Sequence, residues 1–220
     1  MSNKSVIITA GGIGKRMRSS LPKQFMLVNE KPILMYTIDR FYRFDPKIQI
    51  ILTLPEDWLN YWESLLREYD FKIPHRVVVG GKERYNSIKN ALEKCSGSLI
   101  AVHDGVRPLV DEETIKGCFE EAEEKGAAIP VVSIADSMRK KNEHSTEVVD
   151  RSDYLIVQTP QCFKSEILNE AYKLPFHKGI TDDASLVEEA GYEIETVIGN
   201  DMNIKITTQS DLKYAGMFLR

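Results

Sequence analysis

The chain has 220 residues, 42% of them hydrophobic and 28% charged, with a net charge of -4, values that suit one folded unit and exclude intrinsic disorder and fibrous repeats. The acidic balance also excludes the phosphate backbone of nucleic acid as the main partner, so any phosphate binding must be local. Three separated cysteines, Cys95, Cys118 and Cys162, and four histidines without ligand spacing argue against a disulfide framework or zinc site and for a reducing cytoplasm, and no apolar run is long enough to span a bilayer.

Short β-branched runs alternate with longer segments of helical period, the pattern of βα units around a largely parallel sheet. The first strand is expected over residues 5–10; it runs into Lys15 and Arg16, not into the small-residue cleavage site of a signal peptide. A helix over Ile33–Phe44 follows, then a strand at 48–54, a helix at 58–69, a strand at Arg76–Val79, a helix at 84–95 and a strand at 99–102. The clearest helical stripe, Ile115, Cys118, Phe119 and Ala122, lies within Glu112–Lys125 and reads as a core-facing helix. Strands at 127–134, 155–158 and 193–198 and helices at 164–173, 184–190 and 211–219 complete the series. Residues 136–152 break the rhythm: Arg139, Lys140 and Lys141 precede Asn142, Glu143 and His144, with Val148 and Val149 beyond. That composition reads as a two-stranded excursion with a polar tip, either a surface loop or an arm toward a second subunit. No internal repeat or linker is visible, and residues 1–220 are read as one domain.

The chemistry is expected where the first strand ends. Ala10 leads into Gly11-Gly12-Ile13-Gly14-Lys15-Arg16-Met17-Arg18, whose glycines let backbone amides approach an anion closely. No Asp or Glu occurs from Met1 to Asn29, while Lys15, Arg16, Arg18 and Lys23 crowd one segment; by itself this is an anion-binding loop or a solvated basic one. A dinucleotide fingerprint needs glycine where Met17 stands, and a Walker loop needs Ser or Thr after Lys15, where Arg16 stands. Asp104, directly after the apolar run 99–102, falls beyond the carboxyl end of a strand, the usual ligand position in open α/β sheets.

The ordered set of motifs resembles the 2-C-methyl-D-erythritol 4-phosphate cytidylyltransferases. It comprises the glycine loop with Pro22-Lys23-Gln24, Gly80-Gly81-Lys82-Glu83-Arg84 with Ser87, His103-Asp104-Gly105-Val106-Arg107-Pro108, Asp150-Arg151, Thr159-Pro160-Gln161, Thr181-Asp182-Asp183-Ala184-Ser185, and Asn203-Ile204-Lys205-Ile206-Thr207. Two departures stand out. Gly11 sits where the family often has alanine, and Ser137 replaces a threonine but retains a hydroxyl.

The resemblance implies a Rossmann-like, largely parallel twisted sheet flanked by helices, with a protruding β-arm. It implies a cytoplasmic enzyme joining CTP to a polyol phosphate, with no general base because the attacking phosphate is already anionic. Arg16 and Lys23 would stabilise the transition state; Ala10, Gly11, Gly12, Gly14, Gly81, Ser87 and Asp104 would bind CTP, with Gly81 and Ser87 reading the ring. Asp104 would hold a Mg²⁺ carried by the triphosphate. Ser137, Arg151, Thr159, Thr181 and Lys205 would position the second substrate's phosphate, and the arm would make a homodimer with shared active sites. His103 is expected to orient its turn and Arg107 to pair with a nearby acid. A D-ribitol 5-phosphate cytidylyltransferase and a non-catalytic nucleotide-binding regulatory module are the alternatives; a nicotinamide-dependent oxidoreductase is disfavoured by the broken fingerprint.

Overall fold

The run Lys4–Thr9 forms β1, and its alternating side chains face two separate cores, as a central strand must when helices cover both sides of a sheet. The computed structural model describes residues 3–12 and 21–219. Val6 and Ile8 pack on one face with Leu34 and Met35 of α1 (Ile33–Phe44), Trp62 of α2 (Leu59–Glu68) and Ile115 and Phe119 of α4 (Glu112–Lys125). Ile7 packs on the other with Tyr85 and Ile88 of α3 (Arg84–Leu92), Leu168 of α5 (Ser165–Ala171) and Leu186 of α6 (Asp183–Glu189). Three layers result.

Parallel neighbours of β1 are β4 (Gln49–Leu54) and β6 (Leu99–Asp104), and β5 (Arg76–Val79) extends the sheet beyond β4. On the other side the pairing turns antiparallel. β11 (Gln161–Lys164) lies between β6 and β7 (Ala127–Ser133), β10 (Leu155–Val157) pairs with the far end of β7, and β12 (Glu195–Ile198) runs parallel to β7. The sequence reading has no strand at β11; it places residue 164 at the start of a helix, which begins at Ser165.

Two small sheets stand apart. β2 (Leu27–Val28) and β3 (Lys31–Pro32) lead into α1, beside α7 (Gln209–Gly216) and a third apolar cluster of Ile33, Tyr36, Val106 and Ile206. Within residues 136–152, β8 (Met138–Lys141) and β9 (Thr146–Val149) form an antiparallel hairpin with no strand partner in the main sheet among the described residues. No helix among the described residues is long and apolar enough to cross a membrane.

Candidate active site

The four parallel strands β5, β4, β1 and β6 end at one level, since Thr9 is in register with both Thr53 and Asp104. A cavity of about 360 Å³ opens over those ends, the position that strand-to-helix crossovers leave free in open α/β sheets. Its wall combines the start of the glycine loop, the Gly80–Ser87 turn, and the side chains of Lys23, Arg84, Asp104 and Lys205.

The two glycine segments differ in their need for glycine. A Cβ on Gly81 would lie 2.3 Å from Cβ of Asn86, an impossible approach. That turn is pulled tight by the α3 N-terminus, where the Glu83 side chain caps the helix and Asn86 Oδ1 accepts from the Glu83 amide at 3.2 Å. Ser87 Oγ accepts the Gly81 N–H at 3.0 Å, so hydroxyl and turn form one unit. At Gly11 an added Cβ meets nothing nearer among the described residues than Ser87 Oγ at 3.9 Å, so a methyl fits there beside them.

Asp104 ends β6 almost fully buried, and its Oδ2 accepts from Lys205 Nζ at 3.0 Å and Arg107 Nε at 3.2 Å. Burial alone raises a carboxyl pKa, but Lys205, Arg84 and Arg107 outweigh it and hold Asp104 well below the usual carboxylate range. It is an anion throughout physiological pH. Arg107 pairs with it as expected and also donates to the Asn203 carbonyl at 2.7 Å.

His103 is fully buried, and burial pushes its pKa down to about 4. The neutral ring has a defined tautomer. Nε2 lies 3.1 Å from the Arg107 carbonyl and must carry the proton, leaving Nδ1 to accept from Thr159 Oγ at 3.0 Å. Thr159 Oγ in turn accepts the Asp104 N–H at 3.1 Å. The Thr159 proton is therefore directed at His103. The hydroxyl thereby fixes the strand end that carries Asp104.

Lys23 opens a short 3₁₀ turn, Lys23–Phe25, behind Pro22. Next to it the buried Gln24 side chain donates from Nε2 to the Ala10 carbonyl at 2.6 Å, tying the turn to the loop entrance. Lys23 Nζ donates to the Ile206 carbonyl at 3.2 Å, which sets it beside Lys205. Two further polar groups, Asp183 and Gln161, have partners that the sequence does not show. Arg84 Nη2 contacts Asp183 Oδ2 at 2.6 Å, and Tyr172 donates to Asp183 Oδ1 at 2.6 Å. Gln161 Oε1 accepts both the Asp183 and Ala184 amides at 3.0 Å. Gln161 and Asp183 both lie in motifs already quoted, and only their partners were invisible.

The expected residues are not all gathered. Ser137 and Arg151 are exposed at the base of the hairpin, where Arg151 donates to the Ala135 carbonyl, and neither lines the cavity. Thr181 lines a neighbouring cavity of about 280 Å³, which shares Glu83 and Arg84 with the first. Gly14 and Arg16 lie outside the described residues. No cluster of three or more acidic, histidine or cysteine side chains able to hold a metal occurs among the described residues. Asp104 offers a single hard oxygen donor, of the kind that would suit a magnesium ion whose other ligands come from phosphates and water.

Comparison with known proteins adds a consistent result. The family model described as 2-C-methyl-D-erythritol 4-phosphate cytidylyltransferase (IspD) matches residues 5–220. A 2-C-methyl-D-erythritol 4-phosphate cytidylyltransferase of Phocaeicola vulgatus is 46% identical over 218 residues, covering 99% of this chain and 100% of that one. One of Porphyromonas gingivalis is 47% identical over 97% of this chain and 96% of its own. The crystal structure of the Thermus thermophilus enzyme of that name superposes with a TM-score of 0.79 at 28% identity, covering 99% and 98% of the two chains. That of 4-diphosphocytidyl-2C-methyl-D-erythritol synthase from Anaerococcus prevotii gives 0.83 at 26%, covering 99% and 96%.

Proposed function

The chain belongs to the 2-C-methyl-D-erythritol 4-phosphate cytidylyltransferase family, and from that membership we propose how its residues divide the reaction. The enzyme transfers the cytidylyl group of CTP to 2-C-methyl-D-erythritol 4-phosphate in isoprenoid synthesis. One observation carries the division of labour: a single cavity joins a glycine-edged turn to Lys23, Lys205 and an ionised Asp104.

The nucleotide lies with its pyrimidine against Gly80, Gly81 and Ser87 and its phosphates toward Gly11, Gly12 and Lys23. An oxygen of the methylerythritol phosphate attacks the α-phosphorus in line as the bond to the pyrophosphate oxygen breaks. The nucleophile arrives ionised, so the work is placement and neutralisation of charge. Lys23, whose carbonyl contact at Ile206 aims it into the cavity, neutralises the crowded phosphorus together with Arg16. Lys205 holds the incoming phosphate. Thr159, through Asp104 and His103, holds the strand end rigid. A magnesium ion fits as a cofactor that Asp104 would hold together with the nucleotide's own phosphates, and it would supply positive charge there. The cytoplasm suits three cysteines that stand as free thiols.

We further propose a homodimer. Tyr154, Leu155, Ile156 and Val157 are 45%, 51%, 49% and 39% exposed, so β10 is uncovered on both faces, and Ile198 of β12 is 91% exposed nearby. Such an apolar strip marks an association surface, and it adjoins the arm that carries Ser137 and Arg151.

Pyrophosphate release from CTP, followed in parallel with methylerythritol phosphate and ribitol phosphate, tests the reading. Release is expected with the first alone. Excess chelator is expected to abolish it and Asp104→Asn to reduce it strongly; full activity in chelator would remove the metal from the scheme.

A further inference from the structure

Beyond Gln49 at its start, β4 is apolar on both faces except at one place. Ile50, Leu52 and Leu54 enter one core and Ile51 the other, while Thr53, on the Ile51 face, is fully buried beneath the cavity. A strand covered on both sides normally carries Val or Ile there. Its registered partner on β1, Thr9, uses its hydroxyl on the His103 carbonyl at 3.3 Å. Thr53 Oγ has no hydrogen-bond partner among the described residues. A buried hydroxyl left unpaired lowers stability, and valine, its shape match, would avoid that cost.

The position of Thr53 says what its hydroxyl serves. The next residue, Leu54, accepts the Gly80 N–H at 2.7 Å, and Gly80 leads into the Gly81–Ser87 unit that lines the same cavity. Resting on the orientation proposed above for CTP, we infer that Thr53 is a nucleotide-positioning residue whose hydroxyl is satisfied by the pyrimidine end of the bound nucleotide. A hydroxyl donates or accepts by rotating, so Thr53 adds affinity for a pyrimidine nucleoside and leaves the choice between cytosine and uracil to groups of fixed polarity.

Thr53→Val is the test, with Thr53→Ser as the conservative variant. The contact is remote from the reacting phosphorus and alike in ground and transition states, so Thr53→Val raises KM for CTP about tenfold with kcat within about twofold. Inorganic tripolyphosphate, which has no base, binds both proteins equally in competition. Thermal unfolding of the ligand-free variant occurs at the wild-type Tm or above, whereas a structural hydroxyl would lower it, and Thr53→Ser keeps the wild-type KM. An unchanged KM in Thr53→Val, a lowered Tm in it, or an equal loss of tripolyphosphate affinity overturns the inference. A wild-type protein that turns over no CTP overturns the parent reading as well, which separates the two failures.

Discussion

Lys23 and His103 show how neighbours fix the task of a charged or titratable side chain. Lys23 is held beside Lys205 by the Ile206 carbonyl, and charge placed in advance where it develops in the transition state is worth about 10²–10⁴ in rate. Lys23→Ala is therefore expected to lower kcat by that factor with Tm near the wild-type value, checked by steady-state kinetics beside a thermal melt; a fully active variant would remove the assignment. His103 does the opposite work, as a neutral spacer. Unfolded, it titrates near its ordinary 6.5; folded, burial holds it near 4, so between those values unfolding takes up a proton. Its contribution to stability is complete above about pH 6.5 and is lost as pH falls toward 4, on the order of 3 kcal/mol in full. Urea unfolding of wild type and His103→Gln across that range tests this. The wild type, starting more stable, should lose more stability than the variant, and parallel curves would show that the ring does not titrate on unfolding.

Among the elements, the α3 entrance depends most on a single backbone position. Gly81→Ala puts a Cβ 2.3 Å from that of Asn86, which must spread the turn or break the Glu83–Asn86 cap. Overpacking of that kind costs about 1–3 kcal/mol, and the same movement shifts Ser87, so KM for CTP should rise together with the loss of stability. Gly11→Ala, with 3.9 Å of clearance among the described residues, should alter neither. Equal behaviour of the two variants in melts and CTP titration would refute the contrast. Most elements around this turn were legible because local pattern and tertiary role agree: β1, β4, β5 and the α4 stripe all show in the sequence. β11 was not. Gln161-Cys162-Phe163-Lys164 has neither alternation nor a β-branched residue, and it is a strand only because β6 and β7 pair with it from both sides. The site divided along the same line. Motif residues such as Lys23, Asp104 and Lys205 were legible, while the Arg84–Asp183 contact spans 99 positions and the unpaired state of Thr53 exists only in three dimensions.

At the scale of the whole molecule, the arrangement of the arm poses a question of ownership. The resemblance in sequence leads one to expect Arg151 and Ser137 at the second substrate's phosphate, yet here they stand exposed at the base of the hairpin and do not line the cavity that holds Lys23 and Lys205. The hairpin leads in the chain through Arg151–Asp153 to the uncovered strand β10. In a closed two-fold dimer such an arm can be exchanged reciprocally, so that each site takes Lys23 from one subunit and Arg151 from the other. Two inactive proteins then complement each other. When Lys23→Ala and Arg151→Ala chains are mixed in equal amounts and allowed to re-equilibrate, half of the dimers are mixed. Each mixed dimer holds one site with both wild-type residues and one with neither. About a quarter of the wild-type turnover should therefore return. If each subunit builds its own site, every site in the mixture lacks one of the two groups however the chains are paired. Activity that stays at the single-variant level, with exchange verified by mass-labelled subunits, would reject the shared site and leave the hairpin a surface loop.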